Sequence, residues 1–218
     1  MKNIVVMTVK LLAITLVAGL LLGVVNYVTR GPIAEQEKAA ADAARFSCFP
    51  AAKDFEVKEI EIPEEYGIIN NVYAALDEDG NEIGVAMGIT TKGFNAGLNL
   101  TIGISADGKV TGVVMGSHQE TPGLGANASN PEFIDQYKDV PYDPALVVVK
   151  VAPTQENEIQ AITAATITTR GITDAVNTAA EFYDTRLECK NHTLFMTKIA
   201  KFSSNTLFMT KTAEKHTI

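Results

Sequence analysis

The chain has 218 residues, a formal net charge of −8 and two cysteines, which leaves room for one domain with an appendage. Every acidic residue lies beyond Arg30, so the long remainder is strongly acidic. That excludes nucleic-acid binding, which needs a basic footprint, and there is no basic cluster to hold an anionic bilayer surface. Cys48 and Cys189 form no Cys-x-x-Cys pair, so neither iron–sulfur ligation by this chain alone nor any other metal site is expected. One disulfide or two free buried thiols both fit the count.

Residues 1–30 read as an N-terminal tail and a transmembrane anchor. Leu11 to Val28 carries no charge, and only Thr15 and Asn26 are clearly polar. About 20 apolar residues span a bilayer, and Ile4–Val9 extends the run if Lys10 snorkels. The rival is a cleaved secretory signal, but the chain after Gly23 is a poor cleavage site. Lys2 and Lys10 precede the span, while Arg30 and Lys38 follow it, diluted by Glu35 and Glu37. This asymmetry places the N-terminus in the cytoplasm and the body outside, as a single-pass protein of the cell (inner) membrane in contact with lipid.

Residues 31–50 read as a juxtamembrane helix. Pro32 to Arg45 is rich in Ala, Glu and Lys, which favour helix. Pro32 suits a first helical position, and Phe46–Pro50 ends the helix.

Residues 51–190 alternate strand and turn signals. Val72–Leu76 and Glu82–Thr90 flank the turn Asp77–Asn81. Leu98–Ser105 and Val110–Gly116 flank Ala106–Lys109. Asp-Gly between apolar runs marks hairpins, and two such hairpins can pair into one antiparallel sheet. The link Thr91–Gly97 reads as a tight, exposed connection. His118–Gly125 is a loop. Pro131–Tyr137 is a short helix with Asn130 as a candidate N-cap, and Ala145–Val151 is a strand. Gly171–Tyr183 places Ile172, Val176 and Ala179 on one helix face. The fold class expected is α+β: a transmembrane helix, then an antiparallel-sheet domain with packed helices. Residues 191–218 form a tail in which TLFMTK occurs at Thr193 and again at Thr206. Two copies do not make a repeat array, and no function is assigned to them.

Two segments carry chemistry. Gln160–Thr169 (QAITAATITT) crowds hydroxyls at Thr163, Thr166, Thr168 and Thr169, where a core helix would need apolar residues. Hydroxyls and free N–H groups at a helix start suit a phosphate. The second segment is His118–Gly125 (HQETPGLG), where Pro122, Gly123 and Gly125 impose an unusual path. Its glycines let backbone N–H groups approach a flat ring or a phosphate. Read alone, it is a structural turn.

Together these segments resemble the FMN-binding domain family. That family carries a Glu-Thr-Pro-Gly-Leu-Gly loop, matched here residue for residue, upstream of a flavinylation motif reading roughly Asp-x-x-Ser/Thr-Gly-Ala-Thr-x-Thr. The layout from residue 4 to 183, including Gly-Pro-Ile-Ala-Glu-Gln-Glu after the anchor, resembles the membrane-anchored G subunits of Rnf-type complexes. The resemblance implies an electron-relay subunit with covalent FMN, working with other membrane subunits. The complex would couple ferredoxin:NAD electron transfer to Na⁺ or H⁺ movement. This chain would have no substrate site of its own and would need a flavin transferase for maturation. The C subunit of the Na⁺-pumping NADH:quinone oxidoreductase, and a membrane-tethered scaffold that has lost flavin, are the alternatives.

The resemblance puts the FMN phosphoester on Thr166, with helix N-cap as the bland role. A Thr hydroxyl needs activation to act as a nucleophile. Thr163, Ala165 and Thr168 would stand at the phosphate or flavin edge, and Glu120, Thr121, Gly123 and Leu124 near the ring. A solvated carboxylate is the competing role for Glu120, a small core contact for Leu124, and a surface site for His118, which otherwise could pass protons. Two positions depart from the family pattern: Gln160 stands where Asp is usual, and Ala164 where Gly is usual. A methyl at the second is costly only where φ is positive.

Overall fold

The computed structural model describes residues 2–188. Cys189 and the 191–218 tail with its TLFMTK copies lie outside the described residues. The chain divides into two units, one ending at Ala43 and the other beginning at Ala44.

The first unit is helical. Helix α1 runs Lys2–Cys48 without interruption. It holds an 18-residue window of mean hydropathy 2.5, long and apolar enough to cross a membrane. Its apolar side chains from Ile4 to Val28 are exposed all round, as for a helix whose solvent is lipid. The hydroxyls of Thr8, Thr15 and Thr29 donate back to the carbonyls of Ile4, Leu11 and Val25, so none faces hydrocarbon unpaired. Pro32 lies inside α1 rather than at the start of a new helix. Its missing N–H costs one ladder bond, and the Ala-, Glu- and Lys-rich run that follows carries the helix on.

The second unit is α+β. Six strands, β1 Asp54–Val57, β2 Ile69–Leu76, β3 Glu82–Lys92, β4 Ala96–Ser105, β5 Lys109–Met115 and β6 Val140–Pro141, form one antiparallel sheet in chain order. The Asp-Gly turns join β2 to β3 and β4 to β5. Gly80 and Gly108 sit at φ 78° and 81°, where a side chain would be strained. β1 and β6 escaped the sequence reading, being too short to show a period.

Helix α3, Thr166–Phe182, covers one sheet face. Its Ile172, Ala175, Val176, Ala179 and Phe182 pack with Val85, Met87, Ile89, Leu100 and Ile102 in the main core. The sequence placed the start of this helix at Gly171. The structure starts it at Thr166 and carries it through Gly171, where a Cβ would collide with the carbonyl oxygen of Lys92. Gly is the residue that lets α3 approach the end of β3. Phe49 packs elsewhere, in a small second cluster with Ala52 and Ala75.

The strand expected over Ala145–Val151 is shorter, β7 Val147–Val149. It pairs in parallel with β8 Glu158–Gln160, outside the main sheet. Pro131–Tyr137 divides into α2 Pro131–Ile134 and a 3₁₀ turn, Asp135–Tyr137. Asn130 occupies the N-cap of α2 without a side-chain capping bond.

Candidate functional site

Three segments far apart in sequence converge on one cavity of about 280 Å³: the β3–β4 link, the 118–125 loop and the first turn of α3. Phe94, Glu120, Thr121, Leu124, Gly125 and residues 164–168 line it. The volume is close to the roughly 300 Å³ lower end of small-ligand sites.

Glu120 joins the three segments. Its side chain is buried, at 6% exposure. One carboxylate oxygen accepts the Asn95 N–H at 3.0 Å, and the other accepts the Thr168 hydroxyl at 2.7 Å. The Glu120 N–H donates to His118 Nδ1 at 3.2 Å, and the Asn95 amide donates to the Gln119 carbonyl at 2.6 Å. Glycines make room for the carboxylate. A Cβ on Gly93 would lie 2.5 Å from Glu120 Oε1, and one on Gly125 would collide with Oε2. The link is largely exposed, as expected from sequence, but Gly93 within it is buried against the Glu120 carboxylate.

The threonine segment is arranged by a second clamp. Thr169, fully buried, accepts the Ile162 N–H at 3.1 Å and donates to the Ala165 carbonyl at 3.2 Å. Between those two anchors Ala164 adopts φ 63°, the left-handed region that an alanine enters at a cost. Ala165 occupies the N-cap of α3 without a side-chain capping bond. The orphan N–H groups of the first turn thus remain for a ligand, and the helix end favours negative charge.

Thr166 is the first residue of α3, half-buried and on the cavity wall. Thr168 is buried on Glu120, while Ala165, Thr121 and Leu124 line the cavity. Thr163 and Gly123 do not line it. Thr163 is exposed, and Gly123 sits at φ 80°, its carbonyl accepting the Asn127 amide at 3.1 Å. Gln160 ends β8, its N–H donating to Gln136 Oε1 at 2.8 Å.

The sequence reading missed Phe94, Asn95, Ile167 and the pairing roles of Gly93, Gly125 and Thr169. Phe94, Leu124 and Ile167 are large apolar side chains that stay exposed while lining one cavity. The usable signal for Phe94 was an aromatic residue in a short polar turn between two strands.

This fold and cavity define a class. Residues 93–181 match the model of the FMN-binding domain, and that span takes in the β3–β4 link, the loop and nearly all of α3. The chain is 38% identical over 184 residues to the G subunit of the Na⁺-translocating ferredoxin:NAD⁺ oxidoreductase complex of Acetobacterium woodii, covering 79% of this chain and 88% of the relative. It is 34% identical over 176 residues to the G subunit of the proton-translocating ferredoxin:NAD⁺ oxidoreductase complex of Clostridium ljungdahlii, covering 76% and 83%. The fold also resembles the crystal structure of the C subunit of the Na⁺-translocating NADH-quinone reductase from Parabacteroides distasonis, with a TM-score of 0.47, 21% identity and 60% and 76% coverage. The chain belongs to the family of G subunits of ion-translocating ferredoxin:NAD⁺ oxidoreductase complexes.

Proposed function

We propose that this chain is the FMN-carrying electron-relay subunit of a membrane complex that couples electron transfer between ferredoxin and NAD⁺ to ion translocation, with FMN joined to Thr166 by a phosphoester. The observation that carries the reading is the convergence of both family motifs on one cavity, with Thr166 at the uncapped N-terminus of a 17-residue helix.

The residues present fit the group. The first turn of α3 offers N–H donors and a favourable field to a phosphate. Phe94, Leu124 and Ile167 offer apolar surface to a flat ring and would keep water from one side of it. Thr121 supplies a hydroxyl at the same wall. FMN, when bound, supplies electron-carrier chemistry, which the protein tunes through nearby hydrogen bonds and charge. Thr166 contributes its hydroxyl to the linkage. Activation of that hydroxyl falls to a separate flavin transferase, since no base is bonded to it among the described residues.

Among the described residues, helix α1 is the single helix long and apolar enough to span a membrane. The charge asymmetry around it supports an N-terminus in the cytoplasm and an FMN domain outside. A single span has no interior in which to hide an ion path, so translocation belongs to the other membrane subunits. The two relatives named for Na⁺ and for protons have similar identity to this chain, and neither ion is favoured. Ala164 at φ 63° supports one competing reading, a scaffold whose site has lost flavin.

The test is flavin fluorescence in a denaturing gel of membranes from the native organism. A fluorescent band at this chain's mass, absent in Thr166→Ala, is expected. A dark wild-type band would leave the scaffold reading in place.

A further inference from the structure

The carboxylate of Glu120 has no cationic partner: none of the ion pairs among the described residues includes it. Its charge is met by neutral donors, the Asn95 N–H and the Thr168 hydroxyl. The side chain is 6% exposed and lines the cavity. A charge in such a place is neither neutralised by a neighbour nor screened by salt as a surface charge is. Glycines at 93 and 125, where any Cβ would crowd the carboxylate, show that the backbone is built around it.

We infer that Glu120 is a potential-setting residue: a fixed negative charge in the cavity wall that lowers the midpoint potential of the flavin. The inference rests on the FMN reading above. Two electrons from the electrode of a titration and one proton from the buffer leave the flavin site one negative charge richer. A fixed carboxylate in the wall opposes that gain by Coulomb repulsion at low effective dielectric. Glu120 acts from the wall and takes no part in the attachment.

The test compares flavin-loaded full-length protein in detergent, wild type against Glu120→Gln, by spectroelectrochemical titration. Gln keeps the shape and both hydrogen bonds, accepting from Asn95 and donating to Thr168 Oγ1, and removes only the charge. The expected result is a higher midpoint in the variant. The reduced-to-oxidised ratio at fixed potential rises about tenfold, or roughly 30 mV for a two-electron couple. The rise should persist at 1 M salt. Glu132→Gln, at an exposed carboxylate, should give a smaller rise that salt removes. An unchanged midpoint in loaded Glu120→Gln overturns the inference. If that variant takes up no flavin, Thr166→Ala protein with and without Glu120→Gln decides it. The infrared difference spectrum at neutral pH should show loss of an ionised carboxylate band, and loss of a protonated carboxyl band instead overturns the inference. A wild type without flavin would defeat the FMN reading itself, and the infrared comparison would still report the state of Glu120.

Discussion

Glu120 and Thr168 stand 48 residues apart in sequence and meet through a 2.7 Å hydrogen bond buried beneath the candidate flavin cavity. The bond ties the Glu-Thr-Pro-Gly-Leu-Gly loop to the first turn of α3, two residues from Thr166. Removing the hydroxyl leaves a buried carboxylate short of one donor. A hydrogen bond to a charged group contributes about 1.5–3 kcal/mol. Thr168→Val, which keeps the shape, should therefore destabilise the domain by about 2 kcal/mol. Thermal unfolding of the full chain in detergent would show this as a lower midpoint, and an unchanged midpoint would mean that the bond contributes nothing.

Ala164 stands where the flavinylation motif that this segment resembles has glycine, and it sits at φ 63°. The left-handed conformation costs an L-residue roughly 1–2 kcal/mol, partly offset by the lower unfolded-state entropy of alanine. Ala164→Gly should stabilise the protein by roughly 1 kcal/mol and raise the fraction of chains that carry flavin. Chemical denaturation and mass spectrometry would check the two effects separately.

Gly171 gives a prediction whose sign matters. Replacing a mid-helix glycine with alanine ordinarily stabilises by about 1 kcal/mol. Here the added Cβ would collide with the Lys92 carbonyl and lie 3.3 Å from the Gly93 Cα. Overpacking of this kind costs about 1–3 kcal/mol. Gly171→Ala is expected to destabilise, with a lower denaturant midpoint than wild type.

Burial pushes the Cys48 thiol up to about 12 from an ordinary 9.0, against smaller opposing hydrogen bonds from the Gly103 and Val114 backbone. The folded state therefore holds this proton more tightly than the unfolded state does. Stability from it is complete below about 9.0 and is lost as pH rises toward about 12. Because the thiolate is the reactive form, Cys48 should resist iodoacetamide at pH 9 in the folded protein and react once denatured. Peptide mapping of the Cys48 site would show it, and rapid native labelling would contradict it.

The parts of this fold that were legible from sequence are those specified locally. Asp77–Asn81 and Ala106–Lys109 combine a glycine needing positive φ with flanking apolar alternation, so both hairpins and their common sheet could be read directly. The apolar face of Ile172, Val176 and Ala179 likewise announced α3. What could not be read depends on distant partners. Asn95 looked like a loop residue because its partner Glu120 lies 25 positions away. Thr169 looked like one hydroxyl among several, and only the folded turn shows that it holds Ile162 and Ala165. Gly171 looked like a helix boundary because local propensity penalises mid-helix glycine, whereas tertiary contact with β3 demands it. The two-residue strand Val140–Pro141 carries no periodicity at all. Within the site, Thr166, Thr168, Glu120 and Leu124 were marked by motif, and the cavity brings them together. Thr163 was marked by the same motif, yet it lies off the cavity wall because the left-handed turn at Ala164 comes between it and α3.

The central claim is a covalent flavin on Thr166, and the most direct measurement is an intact mass under denaturing conditions, on full-length protein purified from its native membrane. The account predicts a mass raised by one FMN less water, with the increment lost in Thr166→Ala. An unmodified wild-type mass, or an increment that survives Thr166→Ala, would contradict it.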